Sequence, residues 1–93
     1  MNQKESKRIE RYFKGTANHY RLRILEIISR QDGITTEKIA ENLDANFKTI
    51  SEHTRRLVNA GLINKKYTGR CVQHSLSPYG QRFREFIKTF QHS

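Results

Sequence analysis

The sequence predicts a mainly α-helical fold that carries one small β-hairpin. Through most of the 93 residues, apolar side chains recur at spacings of three and four, which is the period of an amphipathic helix. Between residues 62 and 76 the period shortens to two, as in a strand with one buried face. Five glycines and one proline divide the chain at these changes, so we expect about five helices and two strands.

The first two helices are predicted from one apolar face and one cap. A helix is expected over residues 4–14 and to end at Gly15. Asn18 is a favoured N-cap for a second helix that extends to about Arg30. The apolar face of the first helix consists of Ile9, Tyr12 and Phe13.

The third and fourth helices are predicted to be joined by a short polar turn. Thr35 or Thr36 caps the third helix, which ends near Leu43. Asn46 caps the fourth helix, which covers about residues 47–60. Its inner face is predicted to contain Ile50, Thr54, Leu57 and Val58. Two helices joined by a turn of about three residues form a helix-turn-helix unit.

The hairpin follows directly after the fourth helix. Gly61 fits the left-handed position that commonly ends a helix. Residues 62–67 and 71–76 form the two predicted strands, and residues 68–70 form the turn. Upstream, Ile34 is expected to form a short bridge. A hairpin placed after a helix-turn-helix unit is a wing, so the predicted fold is a winged helix-turn-helix with a two-stranded wing.

A final helix begins at the only proline of the chain. Ser77 and Pro78 combine a capping residue with a first-turn proline, which is a strong helix start. The apolar stripe that follows is mostly aromatic and contains Tyr79, Phe83, Phe86, Ile87 and Phe90.

The composition favours a polyanion as the partner. Lys and Arg number 18 against nine Asp and Glu, which gives a net charge of +9 and a pI near 10.1. The length fits one domain over residues 1–93. Cys71 is the only cysteine, so no internal disulfide is expected. Because the N-terminus lacks an apolar signal core and no segment could span a membrane, we expect a cytoplasmic protein with no membrane partner.

Five segments, in order along residues 17–80, resemble known regulator families. Four of them are similar to the ArsR-like winged-helix family of prokaryotic regulators, namely Ala17–Leu25, Ile39–Leu43, Thr49–His53 and Leu57–Ile63. Leu76–Gly80 resembles the exit from the wing in the MarR-like family. The resemblance implies a DNA-binding transcriptional regulator. Residues 34–37 lack the cysteines of the metal-sensing branch, so no metal site is expected there.

The resemblance, together with groove geometry, predicts a set of DNA-contacting residues. The helix over about residues 47–60 would enter the major groove, and the wing over residues 64–73 would lie at the minor groove. On the helix, base contacts are expected from Phe47, Lys48, Thr49, Ser51 and Glu52, with Glu52 accepting from cytosine. The resemblance places His53 and Arg55 near the phosphate backbone. The predicted wing contacts are Lys65, Lys66 and Arg70. The acidic stretch over residues 31–46 should face away from DNA.

A homodimer is expected through the helices over residues 1–15 and 78–93. Their apolar stripes exceed what one small core can absorb. The predicted interface residues are Ile9, Tyr12, Phe13, Phe83, Phe86, Ile87 and Phe90. Alternatively, the C-terminal stripe covers the protein's own core. A two-fold dimer would place two recognition helices about 34 Å apart, one DNA turn.

Enzymatic and cofactor-dependent functions are not expected. The four histidines, His19, His53, His74 and His92, lack the spacing of a metal-ligand set. No phosphate-cradling glycine loop or paired nucleophile and base occurs, and no small-molecule substrate is evident. Cys71 is either an inert strand residue or a redox-sensitive thiol beside Arg70. Two alternatives to a sequence-specific regulator are a winged-helix protein-interaction module and a non-specific nucleic-acid binder.

Overall fold

The computed structural model describes residues 1–91. Within them the chain forms five α-helices and three β-strands, which confirms the predicted mainly α fold with a wing. In chain order these are α1 Gln3–Thr16, α2 His19–Arg30, β1 Ile34–Thr35, α3 Thr36–Leu43, α4 Phe47–Asn59, β2 Ile63–Thr68, β3 Cys71–Leu76 and α5 Pro78–Gln91.

Polar side chains cap the helices where the sequence predicts. The Asn18 side chain accepts hydrogen bonds from the backbone of α2, and Asn46 does the same for α4. Thr35, rather than Thr36, caps α3. Each cap satisfies backbone N–H groups that have no partner inside the helix, and so fixes where the helix begins.

The expected end of α1 at Gly15 is wrong, because the helix continues through it to Thr16. Gly15 is buried against the end of α4. A methyl group at this position would come within 2.5 Å of the Ala60 Cβ atom. The glycine therefore permits two helices to approach closely and does not terminate the first one.

The wing belongs to a three-stranded antiparallel sheet with the order β1-β3-β2. The sequence predicts only the two-stranded hairpin with a bridge at Ile34. That bridge extends into β1, where Ile34 pairs with His74 and its carbonyl contacts the imidazole Nδ1 at 3.0 Å. At the tip, Thr68 pairs with Cys71, which leaves a two-residue turn with Gly69 at φ +62°.

The core lies between α2, α3, α4 and the base of the wing. Its most deeply buried side chains are Ile24, Leu25, Ile28, Ile39, Ile50, Leu57, Leu62 and Ile63. Helix α5 attaches to this core through its first turn. The Ser77 hydroxyl donates to the Gly61 carbonyl at 2.6 Å and accepts from the Gly80 N–H at 3.0 Å. Gly80 is buried directly against the Leu62 carbonyl, where no side chain could fit.

Candidate nucleic-acid interface

The N-terminal half of α4 presents an outward face beside the wing. Ile50, Thr54 and Leu57 point into the core, so the helical period directs the intervening residues outward. Phe47, Lys48 and Thr49 are exposed, whereas the predicted contact residues Ser51, Glu52 and His53 are half-buried. The Asn46 side chain accepts hydrogen bonds from the backbone N–H groups of Lys48 and Thr49. These bonds fix the first turn of α4 and therefore the position of this face.

Glu52, in the N-terminal half of α4, accepts hydrogen bonds from two arginines. The Arg55 guanidinium donates to both carboxylate oxygens, with Nη2 at 2.6 Å from Oε1 and Nε at 3.2 Å from Oε2. The Arg56 Nε atom donates to Oε1 at 3.2 Å. The hydrogen bond from Arg55 is the largest of the effects that lower the pKa of Glu52. The predicted cytosine acceptor is therefore already occupied by cations, and the sequence alone did not indicate this pairing.

His53 faces α2 rather than the outer surface of α4. Its ring stacks on Tyr20, with the centroids 5.4 Å apart, and its Nδ1 atom is buried without a hydrogen-bond partner. Burial lowers the pKa of His53, and the charges of Arg21 and Arg56 lower it further. The resemblance implied a phosphate contact, whereas the structure gives His53 a packing contact between two helices.

The wing carries its cations along an exposed two-stranded ribbon. Lys65, Lys66 and Arg70 are all exposed, and Arg70 occupies the second position of the tip turn. The Lys65 ammonium lies 5.5 Å from the centre of the Tyr67 ring, which is a cation–π arrangement. Tyr67 is exposed but is not among the predicted contact residues, although the sequence does show an aromatic residue next to Lys65 and Lys66.

A groove of about 190 Å³ lies between α4 and the wing. Its walls include the side chains of Ser51 and Arg55 on one side and Lys65 on the other. Thr36 and His74, which the sequence analysis did not assign to the site, lie at its inner wall. Burial lowers the pKa of His74, and its contact with the Ile34 carbonyl opposes that effect.

Charge is strongly divided between the two helices of the helix-turn-helix unit. Residues 47–73 contain six cationic side chains and one acidic side chain, Glu52. On α3, Glu37 and Glu41 are exposed, and Lys38 pairs with Glu41 at 3.4 Å. The α4 and wing surface is therefore basic while the exposed side of α3 is acidic, and a basic surface suits a polyanion.

A separate aromatic groove of about 350 Å³ lies between α1 and α5. The two helices meet through Tyr12 and Tyr79, with ring centroids 5.0 Å apart, and through Phe13 and Phe83, at 5.3 Å. Six of the seven predicted dimer-interface residues belong to this face, which we call the aromatic face: Ile9, Tyr12, Phe13, Phe83, Phe86 and Phe90.

Ile87, the seventh predicted interface residue, faces α2 instead. It lines a different groove together with Leu22 and Glu26. At this contact Glu26 accepts a hydrogen bond from Gln91 at 3.0 Å and lies 3.6 Å from Arg84. The Gln91 hydrogen bond is the largest of the effects that lower the pKa of Glu26. One edge of α5 therefore packs on the protein's own core while the other edge carries the aromatic face.

The structure also bears on the predictions about metal ligands, the cysteine and membrane segments. Within residues 1–91, no group of three or more His, Cys, Asp or Glu side chains could hold a metal ion. His92 lies outside the described residues. Cys71 is exposed at the start of β3. Across the described part of the chain, no helix is both long and apolar enough to cross a membrane.

The fold and this basic surface define a winged-helix nucleic-acid-binding protein. The sequence matches the model of the family described as "Winged helix-turn-helix DNA-binding" over residues 18–64, about half of the chain. The chain therefore belongs to the winged helix-turn-helix DNA-binding family, and the predicted resemblance is confirmed. A comparison with curated proteins gave no match.

Solved structures support the same fold over nearly the whole chain. HlyU from Vibrio cholerae N16961 is 22% identical, with 99% of this chain and 100% of that chain covered and a TM-score of 0.87. A homodimeric winged helix-turn-helix DNA-binding domain from Mycobacterium bovis, described as a possible ArsR-family transcriptional regulator, is 21% identical over 99% and 88% of the two chains, with a TM-score of 0.84. Streptococcus pneumoniae FabT in complex with DNA is 18% identical over 76% and 52%, with a TM-score of 0.72.

Proposed function

We propose that this protein is a sequence-specific, double-stranded-DNA-binding transcriptional regulator that acts as a homodimer. One observation carries the proposal. The exposed N-terminal half of α4 lies beside a wing whose charged residues are all basic. An α-helix fits the major groove, and basic side chains neutralise the flanking phosphates.

Base recognition is assigned to the first turns of α4. Lys48 can donate to a guanine or a phosphate, and the hydroxyls of Thr49 and Ser51 can donate or accept at base edges. The exposed Phe47 ring is suited to a thymine methyl group. Glu52 would read cytosine only after releasing an arginine, so we assign it mainly to the positioning of Arg55.

Backbone contacts are assigned to the wing. Arg70 projects from the tip beside Gly69, where a guanidinium can enter a narrow minor groove. Lys65 and Lys66 would contact phosphates along the ribbon. Such contacts set the register of the protein on the duplex, while the α4 side chains supply the sequence preference.

The aromatic face is assigned to self-association. Phe13, Phe86 and Phe90 remain exposed although their rings make contacts within the chain. An exposed aromatic groove between two helices can bury substantial apolar area against a second copy. The M. bovis domain, which shares the fold, is homodimeric. A two-fold dimer would place two α4 helices on an inverted repeat.

The deciding experiment is selection from random duplex DNA with purified protein at about 150 mM salt, a concentration at which phosphate contacts alone bind weakly. Enrichment of an inverted repeat is the expected result. Binding without enrichment would identify a non-specific nucleic-acid binder instead. Absence of binding would overturn the proposal and favour a protein-interaction module.

A paired substitution separates base reading from general affinity. Thr49→Ala combined with Ser51→Ala removes two hydroxyls from the outer face of α4 and leaves every charge in place. The enriched repeat should lose discrimination at particular positions, while binding to random duplex stays unchanged. An unaltered base preference in this variant would place sequence recognition elsewhere on the protein.

A further inference from the structure

A second basic cluster lies on the side of α4 that faces α1 and α2. A cleft of about 330 Å³ is lined there by side chains from three helices, five of them cationic: Arg11, Lys14, Arg21, Arg55 and Arg56. The other lining residues, Gly15, Asn59 and Ala60, are uncharged. In the described part of the chain no carboxylate lines this cleft, so its wall contains cations without a counterion.

The cleft exists because two helices approach closely. Gly15 lies against Ala60 at the end of α4, with no room for a side chain between them. Arg11 and Lys14 are one helical turn apart and close to Gly15 on α1. The contact of Gly15 with Ala60 therefore places both cations beside α4. A residue with a side chain at position 15 would push them away.

Among residues 1–91, two of the five cations of the cleft lack a carboxylate partner. Within residues 1–91, no carboxylate lies within ion-pair distance of Arg11 or Arg21. The Arg21 Nε atom is shielded from solvent and has no hydrogen-bond partner. Burial lowers the pKa of Arg21, and the nearby charge of Arg56 lowers it further. Lys14 pairs with Glu10 at 2.9 Å, but that pair is exposed and therefore weak.

Glu52 connects the cleft with the wing side of α4. It accepts hydrogen bonds from both Arg55 and Arg56, which are successive residues about 100° apart around the helix. Arg55 lines both the cleft and the groove beside the wing, whereas Arg56 lines only the cleft. Cations are thereby present on both flanks of the predicted recognition helix. A helix in the major groove has a phosphate backbone on each side.

We propose that Arg11, Lys14, Arg21, Arg55 and Arg56 form a second phosphate-binding site, which holds the DNA backbone along the edge of the major groove opposite the wing. This site rests on the proposed function and extends it. Phosphate oxygens entering the cleft would supply the missing acceptor for Arg21 and the missing counter-charge for Arg11. These contacts carry affinity and register but no base preference.

The test is the salt dependence of DNA binding by the double variant Arg11→Gln with Lys14→Gln. Both side chains are exposed, so the fold should be retained, and thermal unfolding checks this. Fluorescence anisotropy on one duplex over a salt series gives the slope of log K against log salt. Each lost phosphate contact makes that slope less steep by about 0.9, and each substitution is present in both protomers of the proposed dimer. A reduction between about 2 and 4 is therefore expected, with weaker binding to every sequence.

The matched control is Lys4→Gln with Lys7→Gln, which removes two cations from the same helix outside the cleft. It should retain the wild-type slope. Equal slopes for wild type and the cleft variant would overturn the second site while leaving the proposed function intact. Equal losses in the cleft and control variants would also overturn it, because net charge would then explain the effect. Failure of the wild-type protein to bind any duplex would overturn both proposals.

Discussion

The basic face and the aromatic face of this protein are assembled in different ways. The basic face, formed by α4 and the wing, draws its charges from a continuous stretch, residues 47–73. The aromatic face joins the first and last helices, so Phe13 and Phe83 meet although 70 positions separate them. The basic face can be read from adjacent residues, whereas the aromatic face depends on how the whole chain closes.

The two faces also differ in the interactions that substitutions would disturb. Changes on the basic face should alter the salt dependence of DNA binding, because exposed charges act through the ionic atmosphere. Changes on the aromatic face should alter the concentration at which copies associate, because apolar burial depends little on salt. Four predictions test this division, from the largest expected effect to the smallest.

The largest effect is expected at the contact between the helix that carries the aromatic face and the residue that precedes the wing. Gly80 of α5 is buried against the Leu62 carbonyl, just before the first wing strand. Gly80→Ala places a methyl group in that contact and should lower the free energy of unfolding by about 3 kcal/mol. Urea denaturation measures it. Gln81→Ala, at the next and exposed position, is the control, and equal midpoints for the two variants would contradict the prediction.

A smaller effect, confined to the aromatic face, is expected for Phe86→Ala. Loss of a central interface aromatic should raise the dimer dissociation constant about 30-fold, as for a hot-spot residue. Sedimentation over a concentration series measures it. Phe47→Ala is the matched control, because Phe47 is 51% exposed and Phe86 is 47% exposed, yet they lie on different faces. Equal self-association of the two variants would remove the aromatic face as the interface.

The corresponding change on the basic face is Arg70→Ala. The variant removes one wing-tip cation from each protomer of the proposed dimer, so the slope of log K against log salt should become less steep by about 1.8, about 0.9 for each lost contact. Self-association should stay unchanged. Lys38→Ala removes the same charge from the acidic surface of α3 and should leave the slope at its wild-type value. A slope change in the Lys38 variant would mean that the acidic surface also approaches DNA.

The smallest effect concerns pH. Burial lowers the folded-state pKa of His74 and of His53, both of which lie under the basic face. The unfolded chain therefore binds protons more readily than the folded one at these positions. Their contribution to stability is present above about pH 6.5 and is lost as the pH falls below it. Denaturation midpoints should decrease from about pH 7 to about pH 5.

His53→Gln tests the attribution of this pH dependence. The variant removes one of the two groups, so its midpoint should fall less steeply with acid than that of the wild type. Tyr20, which stacks on His53, is unchanged in this variant. For each protein, the fall is measured from its own denaturation midpoint at about pH 7. Identical pH profiles would exclude His53 as a contributor.

Local chemistry made much of the fold predictable. Asn18 and Asn46 were recognised as caps because their side chains satisfy helix N–H groups regardless of distant packing. Gly61 has φ +79°, as its place after α4 predicts. The hairpin was also foreseen, although the short strand β1 needed the partner His74, which lies 40 positions away from Ile34.

The predictions that the structure corrects or qualifies share a cause. Gly15 is predicted to end a helix because the sequence does not show that Ala60, 45 positions later, packs against it. Ile87 was grouped with the aromatic stripe by its spacing, yet its helix is turned so that this edge meets α2. The base contact of Glu52 stays a prediction, and its spacing in the sequence does not show that Arg55 and Arg56 both donate to this carboxylate.

The sequence by itself determined the order of the elements, the basic character of α4 and the wing, and the apolar stripes of the first and last helices. These features follow from caps, periodicity and charge, which act between neighbouring residues. The tertiary structure alone decided which stripes meet, how closely α1 approaches α4, and that cations from three helices share one cleft. Such contacts depend on the close packing of distant segments, whose geometry no short stretch of sequence specifies.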